Sequence, residues 1–374
     1  MNNQNLFCRV PFTEISIDIF GQVWPGCCPD WVEFPFGNIL EQPWEEIWNG
    51  ENAIKFRKSM YDSSLRHCDK NWCVWVIGAL SGDGAGMVME NGVDEYITQI
   101  EDNWYGDKSK LLIDLKERNP VLSSNPTHLL MNYDMSCNLA CPTCRIDFIN
   151  VVDEEEEKVN RIHKYVIDNI FPHLHSVSIT GVGDPFGGKL FRKFLMGYSL
   201  EKFPNLRSIH FNTNGQLFNK YYWEKMTGLH KIKVGVDISI DAANSETYAK
   251  LRYPGDWDTL MENFKYIKKI KNLVCLGISM VVQYENYKQM LDFIKLGESL
   301  VYNNRYTFVE FKRIRNWGHM DPEEFKKVSM GESITSDERA EFLNILREVE
   351  KLRKYNIDHN ILPKIRHNLG EFLL

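Results

Sequence analysis

The chain has 374 residues and a formal net charge of −7, with 43% hydrophobic and 25% charged residues. A chain of this length can bury a large core and has room for two domains. No apolar run approaches the roughly 20 residues of a membrane span, and the polar start, residues 1–5, lacks the features of a secretory signal. Because there is no dense basic block either, we expect neither a membrane nor a nucleic acid as partner.

The cysteines are few, clustered and odd in number. They occupy positions 8, 27, 28, 68, 73, 137, 141, 144 and 275. In a chain without a signal peptide this pattern predicts thiolate ligands in a reducing compartment, the cytoplasm. A disulfide framework is the disfavoured alternative.

Residues 1–75 carry five of the nine cysteines. Residues 14–19 alternate like a strand, and Gly21 with Pro25-Gly26 are turn signals, which predicts a hairpin. This hairpin brings Cys8 close to Cys27 or Cys28. An amphipathic helix around residues 43–48 and a second helix follow, and Cys68 and Cys73 close the block.

Residues 76–125 are interpreted as a linker segment. Residues 81–86 form a glycine-rich break, and a charged helical stretch runs to Arg118. Pro120 and Pro126 separate this segment from the rest of the chain.

From residue 126 to residue 374, strand-like and helix-like stretches alternate. Strands are predicted at 127–133, 175–180, 207–213, 232–240, 273–282 and 306–313. Helices are predicted at 152–170, 188–201, 219–227, 245–270, 284–299 and 336–355. Six β/α units in alternation predict an α/β fold with a parallel sheet, whose chemistry belongs at the C-terminal ends of the strands.

Three cysteines at C-x3-C-x2-C spacing, Cys137, Cys141 and Cys144, follow the first of these strands. Such a loop places three thiolates on three corners of an iron–sulfur cube and leaves the fourth iron open to bind something else. The alternative is a zinc knuckle, which needs a fourth Cys or His ligand. The next 15 residues contain neither.

This loop resembles the cluster motif of the radical S-adenosylmethionine (SAM) enzymes. The resemblance implies a partial (β/α)6 TIM-like barrel and a 4Fe–4S cluster whose open iron chelates SAM. It also implies reductive cleavage of SAM to a 5′-deoxyadenosyl radical, with an electron donor such as flavodoxin or ferredoxin. One position departs from the family pattern, because Thr143 stands where an aromatic residue often contacts the adenine.

The second strand ends in a glycine-rich stretch. Gly181 and Gly183 allow a close approach of backbone to a ligand, and Asp184 offers an acceptor. The stretch resembles the family motif that grips the SAM amino group, although a plain β–α turn favours the same residue types.

The fourth strand places Asp237, Ser239 and Asp241 on one face by its period of two. A polar barrel mouth that holds a ribose satisfies this pattern, and the resemblance assigns Ser239 and Asp241 to the ribose of SAM. Arg252 resembles a residue that pairs with the SAM carboxylate, with a surface arginine as the equal alternative.

The cysteine block at residues 1–75 resembles the SPASM or "twitch" auxiliary-cluster domain of many radical SAM enzymes, although that domain usually follows the barrel. The resemblance implies one auxiliary 4Fe–4S cluster bound by Cys8, Cys27, Cys68 and Cys73, with Cys28 as the alternative to Cys27. A four-thiolate zinc site is the competing interpretation.

The sequence therefore predicts a radical SAM enzyme that modifies a ribosomally made peptide. The first alternative is a dehydrogenase or epimerase of a sugar or cyclitol. The second is a non-catalytic cluster- or zinc-binding scaffold. No catalytic acid, base or hydrogen donor is assigned.

Overall fold

The computed structural model describes residues 5–26, 29–80, 86–103, 108–179, 181–299, 306–316, 318–331, 334–359 and 363–367. Cys27, Cys28 and most of the predicted break at 81–86 lie outside the described residues. The chain divides into two compact units. The first unit comprises Met1–Asp134, Val151–Val182 and Leu200–Ser208, and the second comprises Met135–Asn150, Gly183–Ser199 and Ile209–Leu374.

Among its described residues, the first unit contains seven short strands and seven α-helices. In chain order these are β1 (Phe7–Cys8), α1 (Val10–Thr13), β2 (Glu14–Asp18), β3 (Gln22–Pro25), β4 (Gly37–Asn38), α2 (Trp44–Trp48), α3 (Glu51–Tyr61), α4 (Val74–Leu80), β5 (Val88–Met89), α5 (Val93–Asn103), α6 (Lys108–Lys116), β6 (His128–Asn132), α7 (Asp153–Tyr165) and β7 (Ser176–Ile179).

The strands of this unit form a mixed sheet in the order β4-β3-β2-β6-β7, while β1 pairs with β5. The antiparallel pairing of β2 with β3 confirms the predicted hairpin. On its other side, β2 pairs in parallel with β6, with Glu14 opposite His128 and Asp18 opposite Asn132. Strands β6 and β7 are also parallel. The hairpin therefore extends the parallel sheet, which its own sequence does not predict.

A fully buried arginine ties together three separate segments of the first unit. Arg57, on α3, donates hydrogen bonds to the carbonyl oxygens of Pro11 and Pro120 and to Oδ1 of Asn49. Its guanidinium group also lies 4.2 Å from the centre of the Trp48 ring. Burying a cation is costly unless its donors are satisfied. These contacts satisfy Nε and Nη1 and offset part of that cost, while Nη2 has no hydrogen-bond partner among the described residues.

We expect Arg57→Met to lower the free energy of unfolding by about 2 to 4 kcal/mol, because it leaves buried carbonyl oxygens without donors. Urea unfolding followed by tryptophan fluorescence measures the change. Lys58→Met, at the adjacent exposed position, is the matched control and should shift stability by less than about 0.5 kcal/mol. Equal midpoints for the two variants would contradict the prediction.

The second unit contains five strands and seven helices among its described residues. In chain order these are α8 (Lys189–Gly197), β8 (Ser208–Thr213), α9 (Lys220–Lys225), β9 (Lys233–Ser239), α10 (Ser245–Leu251), α11 (Trp257–Ile267), β10 (Leu273–Val282), α12 (Met290–Glu298), β11 (Tyr306–Arg313), α13 (Pro322–Val328), α14 (Ser336–Asp358) and β12 (Lys364–His367). In the part of the chain that the structure describes, no helix is long and apolar enough to cross a membrane.

The strands of the second unit lie in the order β8-β9-β10-β11-β12, and β9 to β12 pair in parallel. Helix α12 packs closely on this sheet, since a Cβ atom at Gly297 would lie 2.1 Å from Cγ2 of Val309. All six strands predicted beyond residue 126 are present, and the predicted α/β class with a mostly parallel sheet is confirmed. Strand β12 was not predicted.

The predicted helix at 245–270 is two helices, α10 and α11, so this prediction was wrong in one detail. Pro254 has no backbone N–H and disfavours helical backbone in the residue before it, which breaks the helix. Asp256 then starts α11, because its side chain accepts a hydrogen bond from the Thr259 N–H at 2.7 Å. The break also places Arg252 at the end of α10.

Candidate functional site

The cysteine loop of the second unit is fixed by backbone hydrogen bonds at both ends. The N–H of Cys137 donates to the carbonyl of Ile149 at 3.0 Å, and the N–H of Ala140 donates to that of Tyr253 at 2.8 Å. Gly187 lies directly against the loop, since a Cβ atom there would lie 2.9 Å from the Cα of Cys137. Contacts within the protein therefore hold the conformation of this loop.

Burial makes two thiols of this loop, Cys137 and Cys141, unfavourable to ionise without a metal. It raises the pKa of Cys137 to about 11 and also raises the pKa of Cys141 above its ordinary value. Bound iron offsets this cost, because metal-bound cysteines are thiolates.

The donors around the sulfur atoms fit a cluster. The N–H of Leu139 points at Sγ of Cys137 at 3.4 Å, and Arg145 donates to Sγ of Cys144 at 3.5 Å. Such hydrogen bonds are typical around the thiolates of iron–sulfur clusters. The residues present therefore fit the cluster that the sequence predicts.

The glycine-rich stretch begins in the first unit at Gly181, whose φ is +98°. A Cβ atom here would lie 2.7 Å from Oδ1 of Asn132, the last residue of β6. That Oδ1 atom is buried and has no hydrogen-bond partner among the described residues. Only glycine suits both this backbone conformation and this close approach.

Asp184, in the second unit, is buried and accepts four hydrogen bonds. Its Oδ1 accepts from the N–H groups of Phe186 and Gly187, and its Oδ2 accepts from the Thr213 hydroxyl and the Asn214 N–H. Burial raises the pKa of Asp184 above its ordinary value, while these donors oppose the rise. A carboxylate has about four acceptor sites, so all are occupied. The predicted contact with the SAM amino group stays a prediction.

Asp241 and Arg252, assigned to different parts of SAM by the sequence, lie together in the second unit. Arg252 Nη2 lies 2.8 Å from Oδ2 of Asp241, whose Oδ1 accepts from the N–H of Val281. Burial opposes the charge of Arg252, but the negative charge of Asp241 raises its pKa above the ordinary value. Arg252 is thus a buried, paired residue and not a surface arginine, while both SAM contacts stay predictions.

The same unit leaves buried polar atoms without a hydrogen-bond partner among the described residues. They include Nε of Arg252, Nε2 of Gln283 and Oδ1 of Asp237. Buried polar groups are rarely left unpaired in native structures. These atoms therefore fit a site completed by a polar ligand such as SAM or a substrate.

Polar side chains of neighbouring strands meet on one face of the second unit's sheet. The hydroxyl of Ser239 lies 3.4 Å from Oγ of Ser279 and 3.4 Å from Oδ1 of Asn212. Below it, Lys312 lies 3.2 Å from Asp237 and 2.9 Å from Glu310. The period of two predicted Asp237 and Ser239 on this face, but nothing local indicated that Lys312 pairs with Asp237.

A cleft of about 630 Å³ opens beside the cysteine loop. Its lining includes Pro142 from the loop and four side chains with large exposed surfaces or polar ends: Ile146, Phe148, Tyr253 and His319. Ile146 is 84% exposed, Phe148 45% and Tyr253 57%. This surface was not predicted from the sequence, although the apolar residue Ile146, soon after Cys144, could have indicated it.

The first unit brings together the described cysteines of the N-terminal block. Cys8, Cys68 and Cys73 line one small cavity. Burial, and then the neighbouring Cys73, raises the pKa of Cys68 to about 12. The fourth predicted ligand, Cys27 or Cys28, lies outside the described residues.

Among the described residues, no group of three or more His, Cys, Asp or Glu side chains is arranged to hold a single metal ion. A 4Fe–4S cluster does not require its ligands to converge on a single metal ion, because each thiolate binds a different iron atom.

Two family models match this chain. Residues 135–297 match the radical SAM superfamily, and residues 8–73 match an iron–sulfur cluster-binding domain, SPASM. The first match contains Cys137, Cys141 and Cys144, and the second contains Cys8, Cys68 and Cys73.

The chain contains a radical SAM domain.

An SPASM domain precedes this radical SAM domain, as predicted. The two domains imply a 4Fe–4S cluster and SAM in one, and auxiliary iron–sulfur binding in the other. The chain therefore carries a domain of the type that binds SAM and its cluster, together with an auxiliary-cluster domain.

A curated relative is GTP 3′,8-cyclase of Petrotoga mobilis, 29% identical over 162 residues. The match spans 38% of this chain and 47% of that protein, so about half of the relative's length is matched.

Solved structures with a similar fold include SuiB of Streptococcus suis bound to S-adenosylmethionine. It is 18% identical, with a TM-score of 0.44, over 74% of this chain and 60% of that one. Another is anSMEcpe with bound AdoMet, at 18% identity and a TM-score of 0.44, over 64% of this chain and 63% of that one.

Proposed function

We propose that this radical SAM enzyme modifies a ribosomally made peptide. When bound, the cluster and SAM supply a 5′-deoxyadenosyl radical that removes a hydrogen atom from the substrate. The proposal assigns Cys137, Cys141 and Cys144 to the cluster and Cys8, Cys27, Cys68 and Cys73 to the auxiliary cluster. It assigns Gly181, Gly183, Asp184, Ser239, Asp241 and Arg252 to the SAM site, in the core spanning 126–374.

The observation that carries the peptide proposal is the cleft beside the cysteine loop. Ile146, Phe148 and Tyr253 expose large apolar surfaces there, and such patches mark sites where other chains bind. Lys250 and Glu324 line the same cleft, which provides charged partners for a peptide's polar groups. A short peptide chain fits a long open surface better than a compact metabolite does.

The polar face of the sheet favours the second candidate, a dehydrogenase or epimerase of a sugar or cyclitol. Asp237, Ser239, Glu310 and Lys312 offer many hydrogen-bonding groups within one small region. Such a surface suits the hydroxyl groups of a polyol. The similarity to GTP 3′,8-cyclase concerns less than half of this chain and supports no particular substrate.

We further propose the cytoplasm as the compartment and a flavodoxin or ferredoxin as the electron donor. The clustered cysteine spacing of the chain supports the first proposal, because a reducing compartment keeps thiols available as ligands.

The test uses the full chain with its clusters reconstituted anaerobically, together with SAM and dithionite. Synthetic copies of the small peptides encoded beside this gene, myo-inositol and UDP-N-acetylglucosamine are added separately. We expect one peptide to increase 5′-deoxyadenosine formation and to lose a pair of hydrogen atoms, or to gain solvent deuterium, in its mass spectrum. Stimulation by a polyol alone would establish the second candidate instead.

The cleft itself is tested by Phe148→Ser. This variant should reduce the peptide-dependent increase at least about tenfold, as expected when an apolar anchor is lost. Tyr221→Ser removes another exposed aromatic side chain, on α9, and should leave the increase unchanged.

A further inference from the structure

Each cysteine sulfur of the radical SAM loop has its own side-chain donor, and the three donors come from different parts of the second unit. Asn214 Nδ2 lies 3.7 Å from Sγ of Cys137. Arg252 Nη1 lies 3.9 Å from Sγ of Cys141. Arg145 Nη2 lies 3.5 Å from Sγ of Cys144. These donors were not predicted as a set from the sequence.

The donors are held in place by other contacts, so their positions do not depend on the sulfur atoms alone. Asn214 Nδ2 also donates to Oδ1 of Asn138 at 3.0 Å, and Arg252 is paired with Asp241. Arg145 is only 8% exposed and donates to the carbonyl of Met135 at 3.1 Å.

These contacts have an electrostatic consequence for a bound cluster. Reduction adds one electron, taken from the reducing partner, and no bond forms or breaks. The added negative charge is stabilised by hydrogen bonds to the sulfurs and by nearby cations, and this stabilisation is larger in a partly buried site than in water. Donors near the thiolates therefore make the cluster easier to reduce.

The three donors differ in expected strength. The positive charge of Arg252 is opposed by Asp241 at 2.8 Å, and Asn214 is neutral. Arg145 carries a full charge and makes the shortest of the three side-chain contacts, at 3.5 Å. The largest effect therefore belongs to Arg145.

We infer that Arg145, supported by Asn214 and Arg252, raises the reduction potential of the cluster bound at Cys137, Cys141 and Cys144. These are positioning residues, which act through the cysteine sulfurs. This inference rests on the proposed function only in that this loop binds a cluster, and it does not depend on the substrate.

The experiment is an anaerobic potentiometric titration of the reconstituted full chain, followed by electron paramagnetic resonance. The signal of this cluster is identified by its change when SAM is added. Arg145→Met should shift the reduction equilibrium about tenfold toward the oxidised cluster, which is about 59 mV for one electron. Arg145→Lys keeps the charge and should retain more than half of the wild-type stabilisation.

Arg347→Met is the matched control, since it removes an exposed arginine from α14, and it should leave the potential unchanged. An unchanged potential in Arg145→Met with full iron content would overturn the inference. If Arg145→Met binds no cluster, the potentials of Arg145→Lys and Arg145→Gln are compared instead. A lower potential in Arg145→Gln than in Arg145→Lys supports the inference, and equal potentials overturn it. Loss of iron in all three variants would also overturn it, because Arg145 would then act in assembly. The titration uses no substrate, so its outcome can be interpreted even if the peptide test fails.

Discussion

A protein in which Cys137, Cys141 and Cys144 are all alanine is expected to lose about four irons per chain and to make no 5′-deoxyadenosine. The reason is that no other residue described in this loop can replace a thiolate ligand. Cys141 is also buried, so water cannot easily take the place of its sulfur. Iron analysis and chromatography of the products after incubation with SAM and dithionite measure both effects.

Two further variants sharpen this test. Cys275→Ala removes a cysteine of β10 that belongs to neither predicted ligand set and should retain iron and SAM cleavage. Cys68→Ala should lose the auxiliary iron, retain cleavage and lower product formation, because its cavity lies in the SPASM domain. Deoxyadenosine made by the triple variant would show that the cluster assignment is wrong.

Local spacing was enough to predict the cysteine loop and the strands around it. Cys137, Cys141 and Cys144 lie within eight residues. Their spacing alone therefore predicts cluster ligands, without knowledge of the fold. The period of two along β9 likewise predicted Asp237 and Ser239 on one face, where they contact Lys312 and Ser279. Asp241, predicted on the same face, lies beyond the end of β9 at Ser239 and has a φ of +60°.

Contacts between distant residues could not be predicted in this way. Asp184 binds Thr213 and Asn214 about 30 positions later, and nothing in the glycine-rich stretch indicates those partners. The pairing of β2 with β6 joins residues more than 100 positions apart. Pairings of this kind depend on how strands are ordered in the sheet, which a single sequence does not specify.

Arg252 shows the difference most clearly. Its sequence context left a SAM contact and a surface arginine equally open. The structure places it at the end of α10, where the Pro254 break turns the chain and where Asp241 and Cys141 both lie within reach. Pro254-Gly255 indicated the turn in the sequence, but the sequence did not indicate the partners of Arg252.

Replacing Asp184 by alanine is expected to lower the free energy of unfolding of the protein by about 3 to 5 kcal/mol, because the buried donors of Phe186, Thr213 and Asn214 lose their acceptor together. Asp184→Asn should cost less. Its amide oxygen still accepts from the Phe186 and Gly187 N–H groups, while its NH₂ group faces the Asn214 N–H and leaves that donor unpaired. Urea unfolding of the cluster-free protein measures both changes without interference from iron.

The same substitution links stability to the cysteine loop. The Asn214 N–H is held by Asp184, and the side chain of Asn214 donates to Sγ of Cys137, so Asp184→Ala should also reduce iron retention after reconstitution. Asp258→Ala removes an exposed carboxylate from the first turn of α11 and should change neither quantity. If Asp184→Ala unfolds at the wild-type urea concentration, Asp184 does not organise this loop.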